Sequence, residues 1–265
     1  MIAAAPDLKW PQKYDLFGVR VSATSYDEAV DSLAAAARQG IPAVASLHAV
    51  HALITASDDR ELREMVNTFE LIGPDGQPVR WALNLLHKTR LRQRVYGPEL
   101  MLRLCQRAAD EGLPIFLYGG TPEVLEALSA NLTTRYPGLE IADQYAPPFR
   151  ALTADEKNEV IQRMRDSGAR LIFIGLGAPK QDYLAHELRQ HINAVFLCVG
   201  AAFDFHAGVK AMAPAWMQRR GLEWLFRLWQ EPRRLWKRYF VTNSLFLWKL
   251  LIACCSRRPS ASSHS

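Results

Sequence analysis

The chain has 265 residues, 49% hydrophobic and 22% charged, enough for one cored domain with an appendage or two small domains. That balance excludes a disordered or fibrous chain. The four cysteines (Cys105, Cys198, Cys254 and Cys255) have neither metal nor disulfide spacing and read as reduced thiols of a cytosolic protein. The net charge of +5 is unevenly placed: from Trp216 to Ser265 ten Lys and Arg stand against two Glu, a balance of +8, and five of the seven Trp fall there too.

In chain order, the opening MIAAAPDLKWPQKYDLFG lacks the charged-then-apolar layout of a signal peptide. Ala43–Leu47 is a strand by its apolar run, and Leu100–Glu111 a helix by its spacing. Pro114–Tyr118 is a strand stopping at Gly119-Gly120, and Thr121–Tyr136 a helix with Thr121 as N-cap and Pro122 at its first position. Leu152–Ser167 is a helix with a capping box of Thr153 and Glu156. Arg170–Gly175 is a strand, a helix opens near Pro179, and Ala194–Val199 is the next strand. Short apolar strands spaced by helices predict an α/β parallel sheet covered on both faces.

Ligands of such a sheet bind where strand C-termini open into loops. In Ile172–Asp182, Gly175 and Gly177 permit a tight turn into a helix N-terminus that faces an anion, with Lys180 and Gln181 at the same mouth. Lys180 stands where a dinucleotide fingerprint has its third glycine, and Cys198-Val199-Gly200 stands where its ribose-binding acid would be, which disfavours a dehydrogenase. Gly119-Gly120 repeats the strand–glycine–helix layout, or is a plain turn. Asp204, between two Phe, needs a partner, either a sugar hydroxyl or an amide of its own loop. His206 is as readily structural. Asp75, between Pro74 and Gly76, is either a turn residue bonding the backbone or a general base at a loop tip. His48 and His51 lie just past the first strand; either could line the cleft or be a satisfied structural side chain.

The C-terminal segment interleaves cations with Trp and Leu, a surface suited to anionic phosphate and lipid headgroups. Its apolar stretch Tyr239–Cys255 is short for a span and interrupted by Lys249, with Arg233, Arg234, Lys237 and Arg238 before it and Arg257 and Arg258 after. A helix lying in the bilayer interface is the favoured reading, ahead of one packed on a second subunit and of a true span. Its aliphatic run fits lipid better than nucleic acid. Residues 1–215 form the body, 216–255 the appendage and 256–265 a disordered tail.

The segments PDGQPVRWAL, RVYGPELM, FLYGGTPEV, IGLGAPKQD, VGAAFDFHAG, MAPAWMQRRGLEWLFRLWQEPRR and the Arg238-Tyr239 pair run in one order from about Ala43 to Tyr239. Together they resemble the WecG/TagA/CpsF family of bacterial glycosyltransferases. The resemblance implies a Rossmann-like body with a basic helical C-terminal appendage that closes over the site and touches the cytoplasmic membrane face. It implies an inverting transfer, without metal or cofactor, from a UDP-sugar to a polyprenyl-diphosphate-linked saccharide of surface or exopolysaccharide synthesis. By the same resemblance Asp75 is the catalytic base and Gln181 positions substrate hydroxyls. Arg227 and Arg234 offset charge on the leaving UDP, and Lys237 with Arg238 stands where a third Arg is common. Gly119, Gly120, Gly175 and Gly177 would cradle the diphosphate. The family's Thr-x-Asn after the first strand is replaced by Leu47 and Ala49, so either His48 or His51 takes that role or the acceptor contacts differ, and Gln77-Pro78 departs from the Gly-hydrophobic of other members. A membrane-recruited nucleotide-binding module without chemistry is the alternative, and the apolar tail is covered either by lipid or by a second copy in a homo-oligomer.

Overall fold

The computed structural model describes residues 8–256. It opens with a hairpin of β1 (Lys13–Leu16) and β2 (Val19–Ser22), whose turn residues Phe17 and Gly18 have φ of 60° and 90°, as the twist of a two-residue hairpin requires. Next come α1 (Tyr26–Gln39), β3 (Ala43–His48), α2 (Val50–Asp58), α3 (Arg60–Val66), β4 (Leu71–Pro74), α4 (Gln77–His87) and α5 (Gly97–Glu111). The alternation continues with β5 (Ile115–Gly119), α6 (Pro122–Arg135), β6 (Ile141–Tyr145), α7 (Ala154–Asp166), β7 (Leu171–Gly175), α8 (Lys180–Leu188) and β8 (Val195–Cys198). Four helices close the chain: α9 (Ala202–His206), α10 (Ala215–Arg220), α11 (Glu223–Gln230) and α12 (Pro232–Ser256).

Six strands form one parallel sheet in the order β4-β3-β8-β7-β5-β6. Side chains alternate strictly across it. Ile115, Leu117, Leu171, Phe173, Val195 and Leu197 enter one core, while Phe116, Tyr118, Ile172, Ile174, Phe196 and Cys198 enter the other. Both faces are therefore dry, as the continuous apolar runs require. From β3 the chain steps outward to β4, and from β5 it steps outward to β6 on the opposite side. The loops part above the middle of the sheet, where open α/β folds place their ligands.

Local chemistry sets the element ends. Thr121 caps α6 with Pro122 in its first turn, and Thr153 with Glu156 completes the capping box of α7. Helix α5 starts at Gly97, earlier than its apolar spacing indicates, because Pro98 is tolerated in the first turn. The N-terminal hairpin, α1 to α4 and the two edge strands have no counterpart in the sequence reading. β6 is missed for a clear reason: all five residues of this sheet-edge strand are half-buried, so it carries no apolar run.

Gly119 pairs with Gly175 across β5 and β7. A Cβ on Gly119 would lie 2.9 Å from the Gly175 carbonyl carbon, and one on Gly175 would lie 2.7 Å from the Phe203 ring. These glycines let two strand ends and an aromatic ring meet.

The appendage has no separate core. Phe246 of α12 is buried in the core shared with α2 and α4, edge-on to Phe17 with ring centroids 5.6 Å apart. Lys249, the charge that interrupts the apolar stretch, places its Nζ 2.7 Å from Asp58 Oδ1 and donates to Ser57 Oγ at 3.0 Å. Ser256 is the last residue of α12 rather than the start of a disordered tail. The rest of that tail, with Arg257 and Arg258, and the first seven residues of the N-terminal reading lie outside the described residues.

Replacing Gly119 by Ala meets backbone on the β7 side and a φ of +130°. We expect Gly119→Ala to lose roughly 2–4 kcal/mol of stability, read as a lower urea midpoint. The same substitution at Gly177, where a Cβ meets nothing within 4 Å, carries only the strain of its φ and costs less.

Candidate active site

A cleft of about 680 Å³ opens at the carboxyl ends of β3, β4, β7 and β8 and is roofed by α11 and α12. Asp75 is the first residue after β4. Its backbone N–H donates to the carbonyls of His48 at 3.2 Å and Gly73 at 2.9 Å, and Gly76 turns away with φ +83°. The carboxyl thus sits at the cleft floor, 17% exposed.

Arg94 Nη1 stands 3.9 Å from Asp75 Oδ1, and Arg94 Nη2 donates to Glu223 Oε2 at 2.6 Å. The guanidinium also lies over the Tyr96 ring, 4.2 Å from its centroid. Segment 94–96 is held beside β4 because the Val95 N–H donates to the Pro74 carbonyl at 3.1 Å and the Tyr96 N–H to Tyr26 Oη at 2.9 Å. From the appendage, Arg227 Nη2 is 3.5 Å from Glu223 Oε1, and its guanidinium lies 5.0 Å from the centre of the Phe205 ring. Four charges therefore alternate in sign: Asp75, Arg94, Glu223, Arg227.

Burial pushes the Asp75 carboxyl up to about 6. The Arg94 and Arg227 cations and a hydrogen bond from the Gly97 amide oppose that rise, whereas the Glu223 charge adds to it. His51 lines the same cleft, and burial, followed by the Arg238 cation, pushes it down to about 4. It is neutral at pH 7, with Thr55 Oγ1 3.4 Å from Nδ1.

Gln181 is buried, and its Oε1 accepts from the amides of Gly177 and Gly200, each at 3.0 Å. The side chain brackets the loops after β7 and β8 while forming part of the cleft wall. The neighbouring Asp182, 1% exposed, accepts from Ser46 Oγ at 2.5 Å and lies 3.8 Å from His48 Nε2. His48 is 1% exposed and outside the lining, whereas His51 lines the cleft.

Gly175, Gly177, Asp204, Arg227, Arg234 and Arg238 also line the cleft. The partner that Asp204 requires is Lys210, 2.7 Å away, and Lys210 lies 3.4 Å from Glu231. His206 Nε2 meets the Pro98 carbonyl at 2.9 Å, a structural contact. Three expectations are corrected. Gly119 and Gly120 are not among the lining residues; they pack against Gly175, Val124 and Phe203, and the glycines that line the cleft beside them are Gly175, Gly177 and Gly200. Lys180, exposed at the start of α8, is outside the lining. Lys237 is outside it too, because on α12 it is Arg234 and Arg238, one turn apart, that face the cleft.

Sequence reasoning missed Arg94, Tyr96 and Glu223. Arg94 and Tyr96 begin RVYGPELM, and Glu223 is one of two acids in a segment of ten cations, which is the signal that could have found it. Gln77 has a structural use. Its Nε2 donates to the Arg219 carbonyl at 3.4 Å, and a Cβ on Gly221 would lie 3.1 Å from the Gln77 Cβ.

A parallel sheet with a carboxylate and guanidiniums at its carboxyl edge is the architecture of a group-transfer site for anionic, hydroxyl-bearing ligands. The family model of the glycosyl transferase WecG/TagA/CpsF family matches residues 14–260, and the chain belongs to that family. It is a glycosyltransferase of cell-surface polysaccharide synthesis, a class that takes a nucleotide-sugar donor and a saccharide acceptor.

Carboxyl titration by NMR in the full chain should place Asp75 near 6. Glu223→Gln removes a neighbouring negative charge and releases Arg94, so the midpoint should fall. Arg94→Gln removes the nearest cation, so it should rise. Midpoints unmoved by both variants would disprove the coupling.

Proposed function

We propose that the protein is an inverting, metal-independent glycosyltransferase. It moves a sugar from a UDP-sugar to a polyprenyl-diphosphate-linked saccharide at the cytoplasmic face of the bacterial membrane. The observation that carries this reading is the Asp75 carboxylate at the floor of a cleft whose roof supplies Arg227, Arg234 and Arg238.

In the proposed step an acceptor hydroxyl oxygen attacks the anomeric carbon from the face opposite UDP. The new carbon–oxygen bond forms as the bond to the UDP oxygen breaks. The hydroxyl proton passes to Asp75, and the bonding electron pair leaves with UDP. A carboxyl titrating near 6 is mostly ionised at pH 7 and is a better proton acceptor than an ordinary Asp. The negative charge gathering on the departing diphosphate is offset by the guanidiniums of Arg227 and Arg234. The Gly177 amide is taken by Gln181 Oε1, so the Gly175–Gly177 turn contributes close approach of the backbone to the ligand. Gln181 acts through the loops it brackets.

Membrane attachment is supported by the outer surface of the appendage. Trp229 is 79% exposed and Phe240 72%, with Trp216, Trp236, Leu247 and Trp248 also exposed beside Arg219, Arg220 and Arg233. Among the described residues α12 is the one helix long and apolar enough to cross a bilayer. Its inner residues Leu235, Thr242 and Phe246 are nonetheless buried against the body and Lys249 is paired with Asp58, which supports a helix lying on the membrane surface.

UDP release from a panel of UDP-sugars, with a short-chain lipid-diphosphate-sugar acceptor and EDTA, tests the reaction. One donor should give acceptor-dependent release in EDTA, and Asp75→Asn should lower turnover by about 10²–10⁴-fold while UDP still binds. UDP binding without release from any donor and acceptor would leave the non-catalytic nucleotide-binding module. Ending the chain after Trp216 should cost both activity and sedimentation with anionic vesicles. The exposed pair Trp229→Glu and Phe240→Glu should cost vesicle binding with the fold intact, and undiminished vesicle binding by that pair would remove the membrane role of this surface.

A further inference from the structure

The cleft does not end at the charged groups. Its lining follows α12 from Arg234 and Arg238 to Phe246, Leu247 and Leu250. From Arg238 to Leu250 the helix rises roughly 18 Å, so the wall changes from cationic to apolar along its length. Val50 and Ala52, of the helix α2 that packs against α12, also line the cleft. Between the two regimes stands His51, neutral at pH 7. Leu247 is 64% exposed, and the next turn carries the exposed Trp248, Leu251 and Ile252. The apolar arm is thus continuous with the catalytic cleft at one end and with the outer apolar surface at the other.

We infer that this arm between α2 and α12 is a binding site for the hydrocarbon chain of the lipid-linked acceptor, with Arg238 at the diphosphate that precedes the chain. The inference rests on the lipid-linked acceptor proposed above and assigns a place to its tail. The order of chemistry along the wall is the order along such a ligand. A sugar hydroxyl lies at Asp75, the acceptor diphosphate at Arg238, and apolar chain at Phe246, Leu247 and Leu250. A polar occupant has little to bind in the arm, where Asn243 and His51 are the polar side chains and both walls are helices without free strand edges. A second copy of the chain would cover the apolar end but would bring no anion to Arg238.

Calorimetric titration of the full chain with inorganic diphosphate, geranyl diphosphate and farnesyl diphosphate, each below its micellar concentration, reads the arm without any transfer. Affinity should rise with chain length, by about tenfold or more from inorganic to farnesyl diphosphate. The double variant Leu247→Gln, Leu250→Gln should lose that rise while inorganic diphosphate binds as before and the melting temperature holds. Should the double variant be unstable, Leu247→Gln alone, at an exposed position, should reduce the rise. Farnesyl diphosphate binding no tighter than inorganic diphosphate would overturn the inference. So would a chain-length gain that survives both variants, or an arm shown by sedimentation to close against a second copy that prenyl diphosphates do not displace. Farnesyl binding through the arm without sugar transfer from any donor would sink the transferase reading and leave the arm standing. Transfer indifferent to chain length would do the reverse.

Discussion

The buried ion pair between Arg94 and Glu223 is the contact on which the cleft depends. Both residues are less than a tenth exposed, and they come from opposite sides of the cleft, Arg94 from the body and Glu223 from the first turn of α11. A pair desolvated to this degree adds little net stability, but removing one partner strands a buried charge at a cost of about 3–5 kcal/mol. Its contribution is geometric. Glu223 can meet Arg94 only when α11 lies across the cleft mouth, and that placement brings Arg227 over the Phe205 ring and within 3.5 Å of the same carboxylate. The pair also shapes the field at Asp75. Burial raises that carboxyl, Arg94 at 3.9 Å opposes the rise, and the Glu223 charge adds to it. The roof therefore does more than cover the site, because its carboxylate moves the proton affinity of the floor.

A second constraint sits beneath the first. Gln181 and Asp182 are adjacent on α8 and face different neighbours: the amide brackets Gly177 and Gly200, and the carboxylate takes the Ser46 hydroxyl of β3. One helix turn thereby joins three of the four strands whose ends form the floor. The close approach of Gly119, Gly175 and Phe203 does the same for β5 and β7 by excluding side chains altogether. These devices fix the loops after β7 and β8 in place, the kind of preorganisation that electrostatic catalysis requires.

The parts of this architecture legible in the sequence are those written in local chemistry. The inner strands β3, β5, β7 and β8 are continuous apolar runs, α6 and α7 carry capping residues at fixed offsets, and the loops worth examining follow from where parallel strands end. Edge strands are not legible: β4 reads Leu-Ile-Gly-Pro, and β6 reads Ile-Ala-Asp-Gln-Tyr, with neither an apolar run nor alternation and every residue half-buried. The hydrogen-bond roles of Gln181 and Asp182 lie out of reach of sequence reading because the partners Gly200 and Ser46 are 19 and 136 positions away. The Gly119-Gly120 pair shows the limit of motif reasoning. It has the composition of a phosphate cradle and the surroundings of a packing contact, and the surroundings decide. Lys180 and Lys237 carry charge near the right motifs, but neither lines the cleft.

Helix α12 has an unusual problem, since it must present apolar side chains in two directions. Leu235, Tyr239, Thr242, Phe246 and Lys249 recur in alternating steps of four and three and face the body, while Trp236, Phe240, Leu247 and Leu251 stay exposed. Such a helix has no strong hydrophobic preference for which face turns inward. The pairing of Lys249 with Asp58 and Ser57 supplies that preference. As a partly exposed ion pair it is worth under about 1 kcal/mol, yet rotating the helix by one residue, about 100°, would carry the ammonium away from Asp58 and bring Leu250 to its place. A charge that breaks an apolar run looks like a defect for a membrane segment, and here it selects the rotation that keeps Arg234 and Arg238 over the cleft and Trp236 and Phe240 toward the outer surface.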